Sequence, residues 1–306
     1  MVMTEPPRKP KRMWLRCILL TPPLALALFV FVSWVYASHL TAARSGVIGN
    51  APKDFPYPVE NVSLKTRDQQ TLAGWFVPAE DRSKAIVLLH GYTGDRLQML
   101  PRARWLRSRG YAVLLYDARA CGESSGDRVT FGYCERNDLL AAVSFLKERG
   151  FAQIACLGVS QGGATILYAA EDLPGLACAV CESVYDDMTH ALDRRMRHYT
   201  GLPGWLGGCA MVPIAEHRLG LAIDDMKPTS HIAALKCPVF IISGEQDDKT
   251  WPEDTTRLYE AAHEPKQLWM ISGAKHEDLF HFPGYEGKVA SFLSRHINRT
   301  AENPHR

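Results

Sequence analysis

Six uninterrupted apolar runs recur along the chain, and they constrain its fold more than any other feature of the sequence. They occupy residues 85–90, 112–116, 154–158, 176–181, 239–243 and 267–272. Runs without polar alternation are typical of parallel strands that are covered on both faces. Helical patterns lie between them, and the clearest places Leu139, Val143 and Leu146 on one stripe. This alternation predicts an α/β fold with a mostly parallel, doubly wound sheet.

Two other parts of the chain depart from this alternation. Residues 59–66 and 70–77 read as two strands around a short polar turn, which predicts an antiparallel start to the sheet. Residues 189–231 form a long excursion punctuated by glycines. Long excursions inside compact domains are often lids or binding loops, so we expect a lid here, with a peripheral helical insertion as the alternative.

The first forty residues differ in composition from the rest. Residues 17–38 carry no charge, and as a helix they are long enough to cross about 30 Å of hydrocarbon. Trp14, Trp34 and Tyr36 stand where interfacial anchors are found. A transmembrane anchor is expected. A signal peptide cleaved after Ala37 and a buried helix of a soluble protein are the alternatives.

The orientation of this segment is predicted from the basic residues that precede it. They place the amino terminus in the cytoplasm and the following domain on the opposite side of the membrane. Cysteine usage argues the other way, because an oxidising compartment tends to pair cysteines, and an odd number follows the segment. The predicted boundaries are a basic tail at 1–16, the membrane segment at 17–38, a linker at 39–58, one domain at 59–297 and a tail at 298–306.

Charge and cysteine spacing exclude two other classes of protein. The formal net charge is only +2, and no basic stripe with interleaved aromatic residues is present, so no nucleic-acid partner is expected. Cys178 and Cys181 have the C-x-x-C spacing, but they fall in a predicted strand, where positions three apart point to opposite faces. No second pair completes a zinc set, and we expect no metal site.

The segment "IACLGVSQGG", residues 154–163, sets a serine among glycines where an apolar strand meets a helix. Serine has low helix propensity and clustered glycines weaken regular structure, which indicates a role other than stability. The pattern G-x-S-x-G at such a junction is the nucleophile elbow, which exposes the serine hydroxyl at the tip of the turn. Ser160 is therefore the predicted nucleophile.

A serine nucleophile needs a histidine base and an acid that orients it, and their order along the chain predicts both. Asp247 follows the fifth apolar run, with Asp248 as the alternative. His276 lies in the loop after the sixth run, with His281 as the alternative. The predicted catalytic triad is Ser160, Asp247 and His276.

Such a triad also needs hydrogen-bond donors where negative charge develops in the transition state. The loop "HGYTG" follows the first apolar run, and Gly91 lets the backbone turn so that the amide of Tyr92 points inward. An ordinary glycine loop is the alternative here. The second predicted donor is the amide of Gln161, directly after the nucleophile.

Together these segments resemble the α/β-hydrolase superfamily. The matching segments are "HGYTG" (90–94), "DARACGESSG" (117–126), "GVSQGG" (158–163), "SGEQDD" (243–248) and "GAKHEDL" (273–279). They are most similar to the membrane-anchored serine hydrolases of the Bem46 and ABHD13/ABHD17-like group, although Ala120 and Cys121 replace its more usual glycine and histidine. The resemblance implies an α/β-hydrolase fold and hydrolysis of an ester, thioester or amide by Ser160, Asp247 and His276, with no cofactor.

The expected function is an esterase or lipase-like enzyme acting on a small or lipid-like acyl substrate. An apolar acyl group is favoured because the predicted lid carries Trp205 and Leu206 near the expected membrane surface. A serine peptidase of the aminopeptidase type is an alternative, and it would need a carboxylate to meet the substrate ammonium. Candidates for that carboxylate are Glu182, Asp186, Asp187 and Glu216. A catalytically inactive, membrane-tethered binding module is a third hypothesis.

Overall fold

A computed structural model describes residues 11–173, 175–201 and 204–297, with the backbone alone for residues 11–21, 198–200 and 206–207. An eight-stranded sheet forms the centre of the fold. Its strands are Glu60–Lys65 (β1), Thr71–Val77 (β2), Lys84–Leu89 (β3), Ala112–Tyr116 (β4), Gln153–Val159 (β5), Cys178–Glu182 (β6), Val239–Gly244 (β7) and Lys266–Ile271 (β8). Each predicted strand is found within two residues of its predicted bounds.

The sheet is mostly parallel. Its strand order is β8-β7-β6-β5-β3-β4-β2-β1. The β1–β2 and β2–β4 pairs are antiparallel, and every other neighbouring pair is parallel. Parallel neighbours require crossover connections, which place all their carboxyl ends at one edge of the sheet. Loops that follow β3, β5, β7 and β8 therefore meet at that edge.

Helices cover both faces of the sheet. The helices of the described residues are Lys11–Thr41 (α1), Leu100–Ser108 (α2), Arg136–Glu148 (α3), Gln161–Tyr168 (α4), Met188–Thr200 (α5), Gly204–Leu219 (α6), Pro228–His231 (α7), Pro252–Ala261 (α8) and Tyr285–Ile297 (α9). Along β5, Ile154 and Cys156 pack into the core on one face, while Ala155 and Leu157 pack into the core on the other. Both faces of this strand exclude water, which is why its sequence shows no polar alternation.

The two cysteines of the C-x-x-C spacing lie on opposite faces of β6. Cys178 belongs to one core cluster and Cys181 to the other. Both are buried and unpaired, and burial raises the pKa of both thiols. They act as small core residues with unreactive thiols.

Helix α1 has two differently packed parts. Residues Pro22–Thr41 have the length and composition of a membrane span or of a signal sequence. The apolar side chains between Leu24 and Val35 are mostly exposed. Ala37 and Leu40, in contrast, are buried against Met211 of α6. The last turns of α1 are thus part of the packed domain.

The segment after α1 is also tied to the domain. Arg44–Ser45 pairs in parallel with Cys121–Gly122, forming a separate two-stranded sheet. The amide of Val129 donates to the carbonyl of Thr41 at 3.0 Å, and the amide of Arg44 donates to the carbonyl of Ala120 at 2.6 Å. These bonds hold the end of α1 at the same edge of the sheet as the loops that follow β3 and β5.

Candidate active site

Ser160 occupies the sharp turn between β5 and α4, with φ 52° and ψ −112°. A non-glycine residue with such a positive φ is strained, and strain of this kind persists where the surrounding structure enforces it. The amide of Ser160 donates to the carbonyl of Glu182 at 2.7 Å, and the amide of Ala164 donates to the carbonyl of Ser160 at 3.0 Å. Bonds to β6 and α4 therefore fix the turn at the carboxyl edge of the sheet.

Two glycines allow this turn to pack. A Cβ added at Gly162 would lie 2.4 Å from the carbonyl oxygen of Leu89, and one added at Gly158 would lie 2.4 Å from the carbonyl carbon of Gly162. These neighbours are backbone atoms and cannot rotate away. The glycines that mark the sequence motif are therefore needed for the close approach of β3, β5 and α4.

His276 and Asp247 lie in direct contact, although they are 29 residues apart in sequence. Nδ1 of His276 is 2.8 Å from Oδ2 and 3.0 Å from Oδ1 of Asp247. Both side chains are buried. When Nδ1–H donates to the carboxylate, Nε2 is left as the basic nitrogen of the ring. The arrangement is that of a histidine oriented by a buried acid.

Further hydrogen bonds hold Asp247 in place. Its carboxylate accepts from the hydroxyl of Thr250 at 2.7 Å, from the amide of Thr250 at 2.8 Å and from the amide of Lys249 at 2.9 Å. Burial alone would raise the pKa of Asp247, but the hydrogen bonds from His276 and Thr250 hold that pKa below its usual range. Thr250 was not among the predicted site residues. A hydroxyl residue three positions after the predicted acid could have indicated its role, because an aspartate side chain often accepts hydrogen bonds from the next few residues in a tight turn.

The two alternatives for acid and base lie outside this contact. Asp248 and His281 are both exposed. His281 packs its ring against Phe280, with 5.5 Å between centroids. Neither residue lines the cavities that contain Ser160. The structure thus brings Asp247 and His276 together and leaves Asp248 and His281 at the surface.

The two residues of the expected oxyanion hole border the same cavity as Ser160. Tyr92 and Gln161 both line it. The loop that carries Tyr92 is fixed by Gln98, whose side-chain oxygen accepts from the amide of Gly91 at 2.7 Å. Rigid placement of backbone amides is what stabilisation of a developing oxyanion requires.

His90 fixes this loop from the interior. Its Nε2 accepts from the amide of Ala118 at 2.9 Å, so Nδ1 carries the proton and donates to the carbonyl of Gly91 at 2.8 Å. Burial lowers the pKa of His90, which keeps the ring neutral and preserves this tautomer. His90 belongs to the segment "HGYTG", but the sequence predicted no role for its side chain. The structure makes it a positioning residue for the loop of Tyr92.

Ser160 and His276 together line two adjoining cavities. The larger, with a volume of 490 Å³, is bordered largely by polar and charged side chains. The smaller cavity has a volume of 40 Å³, and its walls are mostly apolar. They include Phe131, Met188 and Leu192. The same three residues border a further apolar cavity of 30 Å³. An apolar path therefore runs from the serine toward α6.

The segment predicted as a lid supplies most of this apolar wall. It comprises α5, α6, the turn Ile223–Asp225 and α7. Met211 and Val212 of α6 line the inner apolar cavity. Trp205 is 65 % exposed and lines none of the cavities described above. The side chain of Leu206 lies outside the described residues, so its predicted contact with substrate stays a prediction.

One group of side chains near α5 has the composition of a metal site. Ligand atoms of Asp186, His190 and Asp254 lie within 4.8 Å of one another. Arg257 donates to both carboxylates, at 2.5 Å to Asp186 and 2.6 Å to Asp254, and Arg194 also pairs with Asp254. Guanidinium groups thus already supply the positive charge that a cation would bring.

Comparison with known proteins finds a matching family model and similar proteins. A family model described as the alpha/beta hydrolase fold matches residues 84–226. The YqkD protein of Bacillus subtilis is 30 % identical over 215 residues, which cover 67 % of this chain and 68 % of that protein. A polyketide transferase from a Penicillium species, grgF, is 26 % identical over 292 residues, covering 79 % of this chain and 95 % of its own.

Solved structures show the same fold over nearly the whole domain. An esterase of Pyrococcus furiosus, Pf2001, has a TM-score of 0.70 and 26 % sequence identity. The match covers 84 % of this chain and 98 % of the esterase. The crystal structure of the Penicillium hydrolase GrgF matches with a TM-score of 0.63 at 24 % identity, covering 78 % of this chain and 99 % of its own.

Proposed function

Because the chain belongs to the alpha/beta hydrolase family, we propose that it is a serine hydrolase that cleaves a carboxylic ester through an acyl-enzyme. One observation carries this proposal. His276, held by the buried Asp247, lines the same cavity as Ser160, which stands at its strained turn. The Pyrococcus furiosus neighbour is described as an esterase, which favours the ester among the carbonyl substrates. Thioesters and amides are cleaved by the same chemistry.

The proposed mechanism has two acyl-transfer steps. Ser160 attacks the substrate carbonyl while Nε2 of His276 takes its proton, and Asp247 stabilises the imidazolium that forms. The amides of Tyr92 and Gln161 bind the oxyanion. His276 then protonates the leaving alcohol, which departs from the tetrahedral intermediate. Water cleaves the acyl-enzyme by the same route and returns Ser160 to its starting state.

The walls of the site support an apolar acyl group. The path past Phe131, Met188 and Leu192 leads away from Ser160 between α1, α5 and α6. The path is narrow next to Ser160, because the cavity there has a volume of 40 Å³ and accommodates only a few water molecules. An acyl chain would enter by displacing α5 or α6, which is the motion expected of a lid.

The contacts of the inner carboxylates argue against an aminopeptidase. Glu182 is fully buried and pairs with Arg102 at 2.6 Å, and it also accepts from the hydroxyl of Tyr285. Asp186 is bound by Arg257. To bind a substrate ammonium, either carboxylate would have to break its ion pair with arginine. Breaking a buried ion pair leaves the arginine charge unpaired, which is costly.

The two remaining carboxylates are also engaged. Asp187 caps α5, accepting from the amide of Thr189 at 2.7 Å, and lies 3.7 Å from the ammonium of Lys227. Glu216 accepts from the amide of Ile223 at 2.9 Å. Both carboxylates stabilise the backbone of the predicted lid segment and are not available to bind a substrate ammonium. Ester hydrolysis is therefore better supported than peptide hydrolysis.

We further propose that α1 anchors the enzyme in a membrane and is retained. Its exposed apolar side chains between Leu24 and Val35 suit contact with lipid. Cleavage after Ala37 would separate Leu40 from the rest of the helix, and Leu40 borders the cavities at Ser160. We also propose that the chain belongs to the Bem46 and ABHD13/ABHD17-like group. In this proposal the basic tail lies in the cytoplasm and the domain lies on the opposite side of the membrane.

The acyl preference is tested with a series of 4-nitrophenyl esters from acetate to palmitate and the detergent-solubilised full chain. We expect kcat/KM to rise from acetate to at least octanoate, by about threefold to fourfold per methylene, because each buried methylene contributes about 0.8 kcal/mol. Leu192→Ser is expected to flatten this rise, since Leu192 lines the apolar path. Leu97→Ser is the control, because Leu97 is exposed on the surface. A series that peaks at acetate would refute an apolar acyl site.

A further inference from the structure

The polar cavity beside Ser160 has an excess of positive charge. Arg44, Arg195 and Lys249 line it, together with the single carboxylate of Glu277. Lys249 and Glu277 form an ion pair with each other. The two guanidinium groups have no carboxylate partner within the part of the chain that the structure describes, so two positive charges face this cavity without compensation.

The two arginines approach one aromatic ring. The guanidinium of Arg44 lies 5.9 Å from the centroid of Tyr92, and that of Arg195 lies 5.5 Å from it. Stacking of this kind orients a guanidinium while leaving its in-plane donors available. Tyr92 is also the residue whose amide is assigned to the oxyanion hole. The ring therefore holds both cations at the cavity that Ser160 also lines.

Arg44 has donor capacity that its protein contacts do not use. It donates to the carbonyl of His39 at 2.8 Å and to the hydroxyl of Tyr92 at 3.3 Å. Its Nε is buried and has no hydrogen-bond partner among the described residues. Arg44 lines the cavity, and a guanidinium with unused donors forms strong charge-assisted hydrogen bonds to carboxylates and phosphates.

We propose that this cavity is an anion subsite and that the natural substrate carries a phosphate or carboxylate on the leaving-group side of its ester. This inference rests on the serine hydrolase function proposed above. The acyl chain takes the apolar path past Leu192, so the leaving group occupies the larger cavity, which Arg44 and Arg195 line. Arg44 lines the larger cavity and not the apolar one, whereas Arg195 lines both and so stands where the two cavities meet. Leu40 borders both cavities and lies five residues beyond the exposed Val35. An anionic single-chain amphiphile drawn from the membrane surface has this distribution of charge.

The test compares two octanoyl esters with the same ring, 2-nitrophenyl octanoate and 3-octanoyloxy-4-nitrobenzoate, on the detergent-solubilised full chain. The second differs by one carboxylate on the leaving group. The wild type is expected to give a higher kcat/KM for the anionic ester. Arg195→Gln is expected to lower the ratio of the two kcat/KM values by about tenfold to a hundredfold, the usual worth of a charge-assisted hydrogen bond.

Two controls separate a local subsite from other effects. Arg82→Gln removes one charge from an exposed position that lines none of the described cavities, and it is expected to leave the ratio unchanged. Arg195→Lys is expected to restore part of the ratio, which a purely structural role would not predict. Equal loss of both activities in Arg195→Gln, or a wild type that does not prefer the anionic ester, would overturn the subsite.

A second arm identifies the source of the anion. Matched 1-octanoyl glycerol and 1-octanoyl glycerol 3-phosphate in mixed micelles test a lipid headgroup, and inorganic phosphate added to the nitrobenzoate assay tests a free anion. Preference for the glycerophosphate supports a lipid headgroup. Competition by inorganic phosphate at millimolar concentration without that preference supports a soluble anionic ester. If neither ester is cleaved at all, the serine hydrolase function fails, whereas hydrolysis without anionic preference overturns the subsite alone.

Discussion

Replacing His276 by alanine is expected to lower kcat for ester hydrolysis by about 10⁵ to 10⁶, the scale of loss when a triad base is removed. The reason is that Ser160 loses the group that accepts its proton. Asp247→Asn is expected to cost about 10⁴, because an amide cannot hold the imidazole in the required tautomer. The measurement is steady-state hydrolysis of 4-nitrophenyl octanoate by the solubilised full chain.

The neighbouring acid and histidine provide matched controls. Asp248→Asn and His281→Ala remove the same chemical groups one and five positions away, at exposed sites that line no cavity with Ser160. Both variants are expected to retain kcat within about twofold, as surface substitutions usually do. Loss of activity in His281→Ala but not in His276→Ala would reassign the base.

Replacing Glu182 by alanine is expected to cause the largest loss of stability. Glu182 is fully buried and holds Arg102 at 2.6 Å. Removing one member of a buried ion pair leaves an uncompensated charge and costs about 3–5 kcal/mol. For a domain of this size that corresponds to a fall in Tm of roughly 6–20 °C. Thermal unfolding followed by circular dichroism measures it.

Two comparisons show whether the buried charge is the cause. Glu60 pairs with Arg149 at 2.6 Å, but both side chains are partly exposed. Glu60→Ala is therefore expected to cost less than about 1 kcal/mol. The double variant Arg102→Met with Glu182→Leu is expected to unfold at a higher temperature than Glu182→Ala, since it leaves no unpaired charge. Equal Tm values for Glu60→Ala and Glu182→Ala would contradict this explanation.

The burial of the central strands explains why much of the fold could be predicted from the sequence. Parallel strands buried on both faces must be apolar throughout, and β5 shows this with core side chains on each face. The predicted alternation of strands and helices therefore matched the observed sheet closely, and the α/β-hydrolase fold is confirmed. The position of β4 between β3 and β2 was not predictable, because pairing between distant strands leaves no local signal.

The site was partly predictable for a related reason. Ser160, Asp247 and His276 follow predicted strands, and the carboxyl ends of parallel strands share one edge, so their proximity could be inferred from order alone. Thr250 and Gln98 hold the site through side-chain hydrogen bonds that no sequence pattern marked as functional. Their roles depend on how loops fold back, which tertiary contacts decide.

The contribution of α1 could not be anticipated either. Hydropathy predicted a membrane segment at residues 17–38, but the helix continues to Thr41, and its last turns pack against α6. Leu40 then borders the cavities at Ser160. Nothing in the composition of this apolar segment indicates that its end borders the candidate site.

The central claim is that Ser160 is a nucleophile activated by His276. The most direct measurement is labelling of the detergent-solubilised full chain with a fluorophosphonate, followed by mass spectrometry of the modified peptide. We expect one adduct on Ser160 in the wild type and none in Ser160→Ala or His276→Ala. A folded wild type that does not react, or an adduct on another residue, would contradict it and would favour the inactive binding module.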